Sequence, residues 1–131
     1  MNAPQINQHF KGLRTVIYNT PELGTAKAWY SAVLGIEPYF DQPFYVGYNV
    51  GGYELGLDPN AGDSKSGNAN SIAYWGVDDA YAELARLIGL GAKERTGVED
   101  VGDDIRVATV LDPFGNIFGI IQNPHFKLPA E

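Results

Sequence analysis

An internal duplication constrains this chain more than any other feature. Leu13 to Leu57 runs as a strand-like LRTVIYN, a helix-like PELGTAKAWYSAVLG, then IEPYF and two more strand-like runs. Ser71 to Gln122 repeats that order as SIAYWGV, DDAYAELARLIGLGA, KERTG and two more. Internal repeats are weighed before any local choice, and this one predicts tandem βαβββ modules: two half-walls around one shared cleft, where function would sit.

Local signals agree with the repeat. On the first strand Leu13, Thr15 and Ile17 alternate with Arg14, Val16 and Tyr18. Thr20 then reads as a helix cap, with Pro21 and Glu22 in the first turn. Leu23, Ala26, Trp29, Tyr30, Val33 and Leu34 form an apolar stripe at three-and-four spacing, and Gly35 stops the helix. The second module uses Asp78 or Asp79 as cap, the stripe Tyr81, Leu84, Leu87 and Ile88, and the stop Gly89-Leu90-Gly91. Gly51-Gly52 predicts a hairpin turn between two strands, and Asp112 to Asn116 separates the strands 105–111 and 117–122. The polar, glycine-rich DPNAGDSKSGNAN reads as a linker. The expected division is one domain, with module one at 12–58, linker 59–70, module two 71–122 and tail 123–131.

Composition narrows the function classes. At 131 residues the chain is long enough for a sizeable core, and 44% hydrophobic with 19% charged residues is ordinary for a globular protein. It contains no run of about 18 apolar residues, so no membrane partner is expected. MNAPQINQHFKG lacks the build of a signal peptide, so a cytoplasmic location is expected. A net charge of −7 with scattered Lys and Arg argues against nucleic acid as a partner. The absence of cysteine removes thiolate nucleophiles and thiolate metal ligands together.

Three segments, AWYSAVLGIEP, YWGVDDAYAELARLIGLGA and LDPFGNIFGIIQ, appear in an order and spacing that resembles the vicinal oxygen chelate superfamily of glyoxalases, extradiol dioxygenases and bleomycin-resistance proteins. The resemblance implies an α+β fold in which the modules form a U-shaped mixed, largely antiparallel sheet around a concave cleft. It also implies a homodimer. Metal-dependent members carry ligands on the first, fourth, fifth and eighth strands, positions that fall here on Arg14, Glu54, Ile72 (or Ser71 in a slipped register) and Gly119. Only Glu54 offers a competent side-chain donor, and a divalent site needs about three. His9 and His125 lie outside the matched strands. No metal and no other cofactor is therefore expected.

In that register Arg14 and Glu54 face the cleft together, either as a satisfied ion pair or as an anion-receiving guanidinium oriented by a carboxylate. Val16, Tyr18, Gly56, Tyr74, Gly76, Gly119 and Ile121 share the cleft, with Tyr45 and Tyr48 as further candidates, and tyrosines beside glycine-made space suit a flat organic molecule. Each tyrosine can equally be cross-strand packing. Trp29 and Trp75 read as core, and Arg86 and Arg106 as surface charges. No nucleophile motif or phosphate loop is present. The expected ligand-binding set is thus Arg14, Tyr18, Tyr45, Tyr48, Glu54, Tyr74 and Gly119. Two functions stand. One is metal-independent binding of a small organic molecule, as in bleomycin-resistance proteins. The other is a lyase or isomerase acting on a small carbonyl compound with Glu54 as base.

Overall fold

The computed structural model describes residues 13–61 and 72–126 together with His9. Most of the expected linker, Ser71 and the end of the tail lie outside the described residues. The elements run β1 (Thr15–Asn19), α1 (Leu23–Leu34), β2 (Phe40–Gln42), β3 (Tyr45–Val50), β4 (Tyr53–Asp58), β5 (Tyr74–Gly76), α2 (Ala80–Gly89), β6 (Lys93–Gly102), β7 (Ile105–Leu111) and β8 (Ile117–Gln122). The duplication is thus present element for element. The strands form two four-stranded sheets of identical topology, β1-β4-β3-β2 and β5-β8-β7-β6. The β1–β4 and β5–β8 pairs are parallel and the others antiparallel. This is the expected α+β arrangement, and neither sheet closes on itself.

One side of each sheet is covered by a helix. In the first sheet that side buries Tyr18, Val46, Tyr48, Leu55 and Leu57 against Ala26, Tyr30 and Val33 of α1; in the second it buries Ala108, Val110, Phe118 and Ile120 with Leu84 and Leu87 of α2. Each fully buried large apolar side chain contributes roughly 1.5–3 kcal/mol. The two cores are continuous. Tyr18 stacks on Tyr30 and on Phe118 with ring centroids 5.9 and 6.1 Å apart, and Trp75 stacks on Phe118 at 6.4 Å. Trp75 Nε1 donates to Tyr18 Oη at 3.1 Å. A polar joint supports this seam. The buried Asp112 accepts from Tyr30 Oη at 2.6 Å, from Asn116 Nδ2 at 3.0 Å, and from the backbone N–H groups of Phe114 and Asn116. Asn116 Nδ2 reaches back to the Asn19 carbonyl at 2.9 Å.

Several boundaries differ from the sequence reading, for local reasons. The α1 helix begins two residues later than expected, with Glu22 as an N-cap that makes no side-chain bond. Thr20 is instead buried and extends the β1–β4 pairing by donating its N–H to the Asp58 carbonyl. In α2, Asp79 is the cap and accepts from the Tyr81 and Ala82 N–H groups. Ala80 fills the buried position expected of Tyr81, which is 61% exposed. Arg86 is more than a surface charge. Its guanidinium donates to the Val33 carbonyl at 2.6 Å as well as to Glu83, tying the end of α1 to α2. Trp29, expected in the core, is half-buried, and its indole N–H donates to the Leu90 carbonyl.

Candidate functional site

Strand alternation fixes what faces the uncovered side. Tyr18 and Trp75 touch on the helix side, so the residues before them, Ile17 and Tyr74, project to the other side of their sheets. In the first sheet the pairing Thr15↔Glu54↔Asn49 and Ile17↔Gly56↔Gly47↔Phe40 lies on that open side. In the second, Tyr74↔Gly119↔Thr109↔Thr96 does.

This register corrects the sequence reading by one residue on β1. Thr15, not Arg14, is the cross-strand partner of Glu54. Arg14 meets Glu54 through the backbone, its carbonyl accepting the Glu54 N–H at 2.7 Å, and the expected pairing across a cleft floor is not the arrangement formed. Tyr18 is only 6% exposed and belongs to the helix-side core, as does Val16. Burial pushes the Tyr18 hydroxyl up to about 12, the Trp75 N–H partly offsetting it and the Asp112 carboxylate adding to it. Tyr48 is fully buried on the same side, where its hydroxyl meets Ser31 Oγ at 2.8 Å and donates to the Lys27 carbonyl at 3.0 Å. Tyr45, Glu54, Tyr74 and Gly119 do lie on the open side.

Around Glu54 the open side is a built polar cluster. Thr15 Oγ1 donates to Oε1 at 2.8 Å, and Tyr39 Oη donates to Oε2. The Tyr45 hydroxyl adds a third interaction. Two glycines make room for it. A Cβ on Gly47 would stand 2.6 Å from Glu54 Oε2 and 3.2 Å from Tyr39 Cε1, and one on Gly56 would stand 2.0 Å from Tyr45 Oη. Partial burial is the largest single influence on the Glu54 carboxyl and opposes ionisation. The hydroxyls of Tyr39, Thr15 and Tyr45 together outweigh it and hold the carboxyl below its ordinary value. Tyr45 is affected in the opposite sense: desolvation, then the Glu54 charge and hydrogen bond, raise its hydroxyl to about 12. The pair of shifts describes a carboxylate that stays charged and phenols that stay neutral.

The sequence reading missed Tyr39 and Thr15. Tyr39 precedes β2 in a segment with no periodic signal, and Thr15 was assigned to the wrong face because both faces of LRTVIY mix polar and apolar residues. It also missed Arg95. The β6–β7 ladder pairs Glu94 with Val110 and Thr96 with Thr109, so Arg95 is an extra residue in a bulge. Its Nη1 donates to Thr109 Oγ1 at 3.2 Å.

A separate groove of about 440 Å³ lies on the helix side between α1, α2 and β5, floored by Trp75, Phe118 and Ile120. At its rim the Arg86 guanidinium is committed to Glu83 and the Val33 carbonyl, and Asp78 and Asp79 also line the groove.

With the register corrected, the metal-ligand positions implied by the resemblance are Thr15, Glu54, Ile72 and Gly119. Isoleucine and glycine bring no side-chain donor, and the Thr15 hydroxyl is spent on Glu54. Among the described residues no three His, Cys, Asp or Glu side chains come together as metal ligands do. This donor set does not fit a divalent metal.

Solved structures share the fold. A glyoxalase-related enzyme from Fulvimarina pelagi is 19% identical, superposes with a TM-score of 0.72, and the match covers 92% of this chain and 94% of that one. A lactoylglutathione lyase from Agrobacterium tumefaciens is 18% identical with a TM-score of 0.67, covering 89% and 98%. A glyoxalase/bleomycin resistance protein from Catenulispora acidiphila is 24% identical with a TM-score of 0.60, covering 86% and 96%. At these identities the likeness is one of fold. No curated protein sequence matches the chain. The sequence model of the Glyoxalase/Bleomycin resistance protein/Dioxygenase superfamily matches residues 12–120, most of the length, and the chain belongs to that superfamily.

Proposed function

We propose that this protein is a metal-independent small-molecule binding protein of the glyoxalase/bleomycin-resistance type, holding a small organic ligand on the open side around Glu54. The observation that carries the reading is the state of Glu54. A carboxylate given hydroxyl donors on both oxygens and kept below its ordinary pKa is a fixed acceptor and a weak base. It favours a ligand bringing an ammonium or a neutral donor, with Tyr39, Phe40 and Phe44 supplying aromatic surface beside it. The lyase or isomerase reading requires Glu54 to take a proton near neutral pH, which the same three hydroxyls oppose.

Two further elements belong to this proposal. The protein works in the cytoplasm, and two copies associate, because β2 is an exposed edge flanked by the exposed Tyr39 and Phe44. Light scattering at micromolar concentration reads the second element: a mass near the 14.2 kDa chain at every concentration removes it.

The test of the binding site uses benzylamine and phenol as probes. Calorimetric titration should find binding that weakens about tenfold in Glu54→Gln and less in Tyr39→Phe. Unchanged affinity in both variants overturns the site. Near-equimolar divalent metal in the purified protein that disappears in Glu54→Gln overturns metal independence.

A further inference from the structure

The open side of the second sheet carries a positive charge where the first carries a negative one. Tyr74, Gly119, Thr109 and Thr96 form one cross-strand row over β5, β8, β7 and β6. A Cβ on Gly119 would lie 2.7 Å from Tyr74 Cδ1 and 3.0 Å from its Cε1, so the Tyr74 ring leans over that glycine. From the other end of the row the Arg95 guanidinium comes in over β7 to Thr109 Oγ1. Strands β7 and β8 are neighbours, about 4.8 Å apart. Ring and guanidinium therefore sit over neighbouring strands on the same side of the sheet.

The arrangement is held in place rather than incidental. Thr109 is almost fully buried, its N–H donates to Thr96 Oγ1 at 3.0 Å, and the two hydroxyls lie 2.9 Å apart. This pair of threonines fixes the oxygen on which Arg95 rests, and the bulge delivers Arg95 to it. One hydrogen bond leaves most of the five guanidinium donors unspent. The ion pairs among the described residues are Lys27–Asp41, Glu83–Arg86 and Asp100–Arg106, and Arg95 takes part in none of them. An exposed guanidinium without a carboxylate partner, set beside an exposed aromatic ring, suits a planar oxyanion attached to a flat body.

We infer that the second sheet's open side is a subsite for the carboxylate of an aromatic or conjugated acid, with the carboxylate on Arg95 and the flat body against Tyr74. It rests on the reading of the open side as a ligand-binding surface but uses none of the groups around Glu54.

Benzoate is the probe, and its affinity for the full chain is measured by calorimetry with chemical-shift mapping. Arg95→Ala is expected to weaken benzoate about tenfold to a hundredfold, and Arg95→Lys to recover part of the loss. Tyr74→Leu should weaken it several-fold, benzylamine should not compete, and Glu54→Gln should leave benzoate unaffected. Arg95 is exposed, and circular dichroism is the check that each variant is folded. No benzoate binding at millimolar concentration overturns the subsite. Binding that survives Arg95→Ala but is lost in Glu54→Gln also overturns it, and moves the ligand to the first sheet with the binding function intact. Benzoate binding that depends on Arg95, with no response of any probe to Glu54→Gln, upholds the subsite and removes the Glu54 site.

Discussion

Across the first sheet's open side runs the row Ile17, Gly56, Gly47 and Phe40; across the second runs Tyr74, Gly119, Thr109 and Thr96. Both rows keep a glycine on the parallel-paired inner strand, Gly56 on β4 and Gly119 on β8, and in both an aromatic residue covers the hollow. What fills the space differs. In the first sheet Tyr45, Tyr39 and Glu54 close over Gly47 and Gly56 and gather hydroxyl donors around an anion. In the second only the Tyr74 ring leans in, and the neighbouring strand carries a hydroxyl pair and a cation. Duplicated backbones thus support unlike chemistry, because recognition is set by the side chains above the sheet and not by its topology.

The largest expected effect comes from cutting the joint between the halves. Asp112→Ala leaves the Tyr30 hydroxyl, the Asn116 amide and two backbone N–H groups without their shared acceptor, and should cost about 3 kcal/mol or more. Urea denaturation measures it. A loss below about 1 kcal/mol would mean that the stacked rings alone hold the halves together.

Next is the same substitution made in both hollows. In Gly119→Ala the new Cβ meets the Ala73 carbonyl oxygen at 2.7 Å, backbone that cannot swing away, and about 1–3 kcal/mol should be lost. In Gly56→Ala it meets the tip of Tyr45, which can move out. Stability should fall less, while the Tyr45 hydroxyl titrates earlier as it leaves Glu54. Equal losses in the two variants would erase the distinction between a glycine required by the sheet and one required by the cluster.

Acid then separates the sheets. Folding depresses the Glu54 pKa, so the cluster contributes stability above the ordinary carboxyl value of 4.5, and that contribution is lost as pH falls through the depressed folded value. Wild-type protein should therefore lose stability more steeply below about pH 4.5 than Glu54→Gln. Parallel acid limbs would show that Glu54 is not held in its charged form.

The smallest effect lies at the alkaline end. Tyr18 and Tyr45 are both raised to about 12, so each contributes stability that is complete below the ordinary value of 10.0 and is lost as pH rises toward 12. Absorbance titration should find two late-ionising phenols from these residues, of which Tyr45→Phe removes one and Tyr18→Phe the other. Tyr18→Phe should cost only about 0.5–1.5 kcal/mol, the worth of its bond to Trp75.

The fold was legible because its signals are periodic and come twice. Gly51-Gly52, the strands at 105–111 and 117–122 and the Gly35 stop all fall where the pattern put them. The site was legible only in part. Glu54 was reached through the resemblance, as the one implied ligand position with a side-chain donor, and Tyr45, Tyr74 and Gly119 lie on the expected side. Arg14 and Tyr18 were misplaced because a one-residue change of phase in β1 exchanges every side chain between faces, and a strand mixing polar and apolar residues on both faces does not reveal its phase. Tyr48 was misplaced for a different reason. A tyrosine whose hydroxyl finds Ser31 and the Lys27 carbonyl across a helix packs as a core residue, and no local pattern announces that partner. Arg95 was invisible because a bulge is a property of two strands together.

That bulge also bears on how the protein can change over generations. It adds one residue to β6, so that the register moves on by one from Glu94–Val110 to Thr96–Thr109, the first of three such shifts along the strand. A deletion of Arg95 would restore regular pairing at that step and withdraw the guanidinium in a single genetic event, leaving the two later shifts of β6 in place. An extra residue, usually taken up in a surface loop, is here accommodated inside a strand. Losing that one codon would take away the cation proposed to hold the ligand's carboxylate.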